Sequence, residues 1–476
     1  LEFRRVLFRS PLKDDSQHAA AVAEFKSLFG IAQADGNTST RGRGYIDVRG
    51  VATDKLAEYC QKLGADAQNI KVVSLGDEIA LPNPPKNPAT HAAFREWLKA
   101  RGLAPTDIDP AVGGDWMKIE YAPEADKKTK PGTFYWSHRY QFDAGIKAIK
   151  ERTDVLRKHL PNAGIGANYS PHYPKHHMFL GEVHKWATVF REDGMTLPWG
   201  EDYIWQVAVG SPQVNGINLD LFRAGLRGKP DRSIHYYVMP HAPNNTPNMW
   251  RRLFYQSLAH GMKQVNLFEF RPVQVAYTEN HCSDPAQYAM ILKSFRELGV
   301  FEDFIQDGQV RAAETGLWFS ETGDVWGDSA GSFAAAKRLL YLGIRNQQVP
   351  LDFIIEPDAL DGTLSKYKQL FLTDRHVSRA ASTKIAEWVK AGGRLVATAG
   401  AGMRDELDRP NEVLQTVLGV QETDLIAPED KQFFYEKQDL PFAEPLETIA
   451  SLKNEPVISA KSKVTLSGAK IGRAHV

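Results

Sequence analysis

The chain has 476 residues but only two cysteines, Cys60 and Cys282, so no disulfide framework can organise it. Neither cysteine sits in a CxxC or Cys/His spacing of the kind that holds structural zinc, and each reads as one small buried hydrophobe. No run of about 18 apolar residues is present, so neither a membrane span nor a membrane partner is expected. Charge of one sign is missing as well. The 58 lysines and arginines balance 58 aspartates and glutamates, which leaves no basic field for nucleic acid. No GxGxxG or GxxxxGK[ST] follows a strand-like segment, which counts against a nucleotide-binding sheet, and no cofactor is expected.

Apolar side chains, by contrast, are plentiful. Hydrophobic residues make up 42% of the chain, enough to fill a large core, and the length calls for one large domain and at least one smaller. Ten tryptophans and 16 tyrosines suit a carbohydrate partner, because flat apolar rings stack on sugar C–H faces; any single one more ordinarily belongs to a core or an interface. The opening LEFRRVLFRS and the closing KIGRAHV resemble translated adapter sequence and lack the apolar stretch of a targeting signal. Those ends are not expected to take part in the fold.

From Thr53, TDKLAEYCQKLG places a threonine N-cap candidate ahead of apolar residues spaced near 3.6. The β-branched residues 70–75 follow as a strand that runs into Gly76, Asp77 and Glu78. The unit then repeats. Helical patterns over 91–101 and 140–159 feed a strand at 165–169, and later helices feed strands at 196–199, 234–239 and 264–270. Strands alternating with helices of this length predict parallel βαβ architecture, and without a nucleotide motif a barrel is preferred to an open sheet. From about residue 311 a second α/β set begins with TGLWFS, LDFII, YKQLFLTD and RLVATAG, where the turn at 390–393 is a helix C-cap candidate.

Three segments resemble the family 42 β-galactosidases. Residues 249–272, MWRRLFYQSLAHGMKQVNLFEFRP, are similar to that family's seventh helix and eighth strand; residues 367–409 are similar to its flavodoxin-like trimerisation domain; SLGDEI, residues 74–79, stands where the family carries its acid/base glutamate. The resemblance implies an α/β fold: a (β/α)8 TIM barrel over 11–310, a flavodoxin-like doubly wound domain over 311–425, and a partial segment over 426–476. It also implies a homo-oligomer, a trimer. Only about forty usable residues precede Thr53, whereas a βα unit takes roughly thirty, so the first one to three barrel units are expected to be truncated.

Glycoside hydrolysis needs one carboxylic acid to protonate the leaving oxygen and a second carboxylate to attack the sugar or activate water. By the resemblance Glu78 is the proton donor; a solvated loop glutamate is the plain alternative. The seventh-strand segment YYVMPHAPNN, where the family keeps its nucleophile, contains no acid. Two neighbours could replace it: Glu201, in PWGEDYIW after the sixth strand, and Glu269, in FEFRP beside Arg271. Candidate substrate contacts around the mouth are Asp77, Trp199, Asp202, Tyr237, His241, Asn244, Trp250 and Arg271. The histidines of HYPKHH, 172–177, and the pair His281 and Cys282 lack the helix context of a zinc hydrolase, so no metal is expected. The reading is a hydrolase of β-linked glycosides, with a catalytically silent carbohydrate-binding barrel as the alternative.

Overall fold

The computed structural model describes residues 44–169, 183–202, 211–240, 245–267, 284–329, 332–426 and 459–464. Six strands form one curled, fully parallel sheet in sequence order: β1 (Tyr45–Asp47), β2 (Val72–Asp77), β3 (Gly164–Tyr169), β4 (Trp199–Glu201), β5 (Ile234–Tyr237) and β6 (Met262–Asn266). Strictly sequential, parallel neighbours joined through helices are the signature of a (β/α) barrel wall. All five expected strands are there and all run the same way.

Period-two alternation sorts the side chains. Ile46, Val73, Ile165, Ile234 and Tyr236 join the large core beneath the helices. Residues of the opposite parity, Tyr45, Val72, Leu197, Trp199 and Tyr237, form a separate cluster on the concave face.

The boundaries shift from expectation by one to three residues, β5 ending at Tyr237 and β6 starting at Met262, and one strand is additional. β4 begins at Trp199 instead of residue 196, because Pro198 has no N–H to enter a ladder; Thr196 uses its hydroxyl to accept from the Ile165 amide at 3.0 Å. β2 extends to Asp77, past the expected end. Of the expected strand at 264–270, the last three residues lie outside the described ones. β1 precedes the first expected unit and pairs with β2 from Tyr45↔Val72 to Asp47↔Ser74.

The second sheet is also parallel, with β7 (Thr315–Phe319), β8 (Leu351–Ile355), β9 (Gln369–Leu372) and β10 (Arg394–Ala397) in the order β10-β9-β7-β8. From β7 the chain winds first to one side and then to the other, the doubly wound arrangement. Helix Arg379–Lys390 is capped by Ser378, whose hydroxyl accepts from the Ala381 amide, and it ends at the expected turn, where Gly392 has φ +107°. β11 (Val420–Ile426) pairs antiparallel with β12 (Ser459–Val464).

One face of the second sheet has its own core around Trp318, Leu370, Ile385 and Leu395. Its other face contributes Leu317, Phe319 and Phe353, and helix Ser332–Asn346 adds Tyr341, to the core that covers the first sheet. Polar pairs reinforce this junction: Arg191 meets Asp358 at 2.8 Å, and Tyr341 donates to Asp220 at 2.8 Å.

Candidate active site

The C-terminal ends of barrel strands converge on one mouth, and the end of β2 is built to turn acids into it. Ser74 lies opposite Gly166 and Asp77 opposite Asn168, so three residue steps on β2 match two on β3. This is a β-bulge, and the extra residue reverses the side-chain parity. Asp77 therefore faces the same side as Asn168, not the helical side of Val73 and Leu75. Gly76 accommodates the bend at φ +152°, and a Cβ there would lie 2.4 Å from the Ile79 Cγ2. Glu78 follows at φ +51°, an uncommon conformation for a residue with a side chain, and its amide donates to the Asn168 carbonyl at 2.8 Å.

Asn168 links the acids. Its Nδ2 donates to Asp77 Oδ1 at 3.0 Å, and its amide also favours the ionised carboxyl of Glu201, the last residue of β4. Asp77 and Glu78 are exposed, whereas Glu201 is 4% exposed. Burial pushes the Glu201 carboxyl well above the ordinary carboxylate range; the Asn168 amide opposes that rise, and the charges of Asp77, Glu78 and Asp202 reinforce it. Glu78 reaches the surface but is partly enclosed, and it is raised first by that enclosure and second by the charge of Asp77.

Beneath Glu201, the Trp199 ring stacks on His235 at 4.6 Å and meets Tyr237 edge-on at 5.6 Å. Burial holds His235 neutral, with its pKa lowered to about 3. From the opposite face of β5, the Tyr236 hydroxyl lies 3.0 Å from the Glu201 carbonyl and 3.1 Å from Asn215 Oδ1, which fixes the strand end. Asp202 is buried too, and its Oδ1 accepts from the Met239 amide at 3.1 Å.

Asp77, Glu78, Trp199, Glu201, Asp202 and Tyr237 are thus brought together. Trp250 is not among them: it lies fully buried in the helical layer, donates to the Val238 carbonyl at 3.1 Å and stacks on Phe254. Its helix, Pro247–Ala259, packs on the outer side of the sheet, the side opposite the acids. Glu269, Arg271, His241 and Asn244 lie outside the described residues, as do the histidines of 172–177 and His281. Asn168 and Tyr236 were not singled out from sequence. Strand parity alone places Asn168 on the concave face, but its partner Asp77 gets there only through the bulge. Among the described residues, no group of three His, Cys, Asp or Glu side chains is arranged to hold a metal, and no helix is long and apolar enough to cross a membrane.

A cleft of about 1160 Å³ opens at the opposite, N-terminal end of the strands, beside Lys71, Ile234 and Met262. Its inner cations are committed, Arg227 to Asp358 and Lys229 to Asp193. The acids converge at the other end, and the mouth is the site the chemistry favours.

Among solved structures, a family 42 β-galactosidase of G. stearothermophilus superposes with a TM-score of 0.61 at 18% identity, over 80% of this chain and 60% of that one. The fold is that of the family 42 β-galactosidases. A β-galactosidase from Bacillus circulans sp. alkalophilus gives 0.58 at 17% identity, covering 89% of this chain and 70% of that one. An exo-carrageenase of family 42 from Bacteroides ovatus gives 0.53 at 11% identity, covering 87% and 60%. The chain spans 60% of the length of the first of these family 42 structures. No family model matches the chain, and no curated protein does.

Proposed function

We propose that this chain belongs to a glycoside hydrolase of the β-galactosidase type, cleaving β-linked glycosides with carboxylates at the barrel mouth. The observation that carries the reading is the linked set Asp77, Glu78 and Glu201, gathered around Asn168 at the strand ends of a barrel with the family 42 fold. Glu78, its carboxyl raised above the ordinary range, donates the proton to the departing oxygen as the glycosidic bond breaks. Glu201 is the second carboxylate, attacking the anomeric carbon or taking a proton from water. It must ionise to do so, and positive charge developing on the sugar beside it favours that ionisation. Glu269 is the competing candidate for this role.

Three variants of the protein separate the roles. Glu78→Gln is expected to abolish hydrolysis of poor leaving groups, about 10²- to 10⁴-fold, while sparing activated aryl glycosides more, since these depart with little protonation. Glu201→Ala is expected to lose activity on every leaving group. Near-parent rates in Glu201→Ala, with loss in Glu269→Ala, would transfer the second role to Glu269.

A second reading, the catalytically silent sugar-binding barrel, is favoured by β5: the strand ends at Tyr237, and Val238, Met239 and Pro240 follow it without an acid. Sugar binding by a parent that hydrolyses no glycoside would establish it. We further propose that residues 311–425 form a domain that carries a subunit contact of a trimer. Light scattering of the parent is expected to give three times the chain mass, and a clean monomer would remove this claim.

A further inference from the structure

We infer that Glu321 and Glu356, which share the single guanidinium of Arg139, form a proton-linked latch holding the long helix Pro131–His159 against the C-terminal edge of the second sheet. The inference is independent of the catalytic assignment. In a doubly wound sheet, the crevice outside the C-terminal strand ends is where ligands bind. Here β7 and β8 end just before Glu321 and Glu356, and the chain's own helix lies on those ends. Tyr135 of that helix is 2.9 Å from the Thr322 hydroxyl. Arg139, one turn on, reaches Glu321 Oε2 at 2.7 Å and Glu356 Oε2 at 3.8 Å.

Both carboxyls are sealed, at 4% and 5% exposure, and the Oε1 of each has no hydrogen-bond partner among the described residues. Two buried carboxylates against one guanidinium leave an excess negative charge, which is costly without water; one retained proton removes it. The other groups facing this point add no second cation at Glu321: Asp143 comes from the same long helix, and Glu406 acts on Tyr135 from the far side. Arg101 and Glu192 lie around Asp143 and Arg139. Burial pushes Glu321 up to about 7, with Arg139 opposing and Glu356 adding to the rise.

The sign follows from proton linkage. Undocked, Glu321 titrates near its ordinary value of 4.5; docked, it keeps its proton to a higher pH. Docking is therefore strongest in acid, weakens as pH rises between those values, and levels off above neutrality. The local opening constant should rise about tenfold between pH 6 and pH 8.

Hydrogen-exchange protection of helix Glu321–Trp326 and of residues 131–143, corrected for intrinsic rates and measured on the parent chain across that range, tests the latch. A tenfold loss of protection that becomes flat in Glu321→Gln is the expected result. Protection that does not change with pH in the parent, or an unchanged loss in Glu321→Gln, overturns it. Should Glu321→Gln not fold, Glu356→Gln serves in its place: with the like charge gone, the midpoint must move to lower pH, and an unmoved midpoint also overturns the latch.

Discussion

Asn168 donates its amide to Asp77 and favours the ionised form of Glu201, so one neutral side chain acts on two acids of the mouth. A hydrogen bond donated to a carboxylate stabilises its ionised form. Removing the donor in Asn168→Ala should therefore raise the Glu201 carboxyl further. If Glu201 must be ionised to attack, the acid limb of kcat/KM moves to higher pH while the plateau above it is kept. A bond to a charged group contributes about 1.5 to 3 kcal/mol, which corresponds to a displacement of about one to two pH units. A pH–rate profile on an activated glycoside reads this directly. An unmoved acid limb with only a raised KM would show that Asn168 touches substrate without governing Glu201. Asp202 differs from Glu201 despite being its neighbour: it is spent on the Met239 amide, so its buried carboxylate holds two strand ends in register.

At the scale of strands and helices, the parallel series was readable because short β-branched runs alternate with helical spacing, and five runs fell where strands formed. β1 escaped notice because three residues, Tyr45–Asp47, are too few to show alternation. The end of β2 was misjudged by two residues, since pairing there depends on a bulge whose register is set by β3. Gly76 was visible, but its φ of +152° and its closeness to Ile79 were not. The same dependence on long-range pairing hid Asn168, although Glu78 and Glu201 stood out as acids following apolar strands. Trp250 shows the converse: an aromatic in a family-like segment suggested a sugar contact, yet its position on helix Pro247–Ala259 directs it into the core. Periodicity identifies elements and faces, while contacts at a mouth require the register of several strands at once.

On the scale of the whole molecule, the two sheets share part of their packing: one face of the second sheet has a core of its own, and the other joins the core under the first. Phe319 and Phe353 of the second sheet join the cluster that contains Phe190, Phe222 and Trp250 under the first. Within that junction, Asp220 is 1% exposed and accepts from Tyr341 at 2.8 Å while His260 Nδ1 lies 2.7 Å away. His260 Nε2 is 3.1 Å from Arg345, so the network joins helix Ser211–Gly225, the end of helix Pro247–Ala259 and helix Ser332–Asn346. Such a shared, fully bonded interior couples unfolding of its parts. Equilibrium urea unfolding should accordingly show coincident transitions for tryptophans of the second sheet, such as Trp318, and of the first, such as Trp199, both of them buried. Tyr341→Phe leaves the ring in place but withdraws a donor from a buried carboxylate, which costs about 1 to 3 kcal/mol. Its effect on the urea midpoint should appear equally in both probes. A midpoint that falls for the second sheet alone, with Trp199 unfolding as in the parent, would mean that the junction is an interface between independent units and not a shared core.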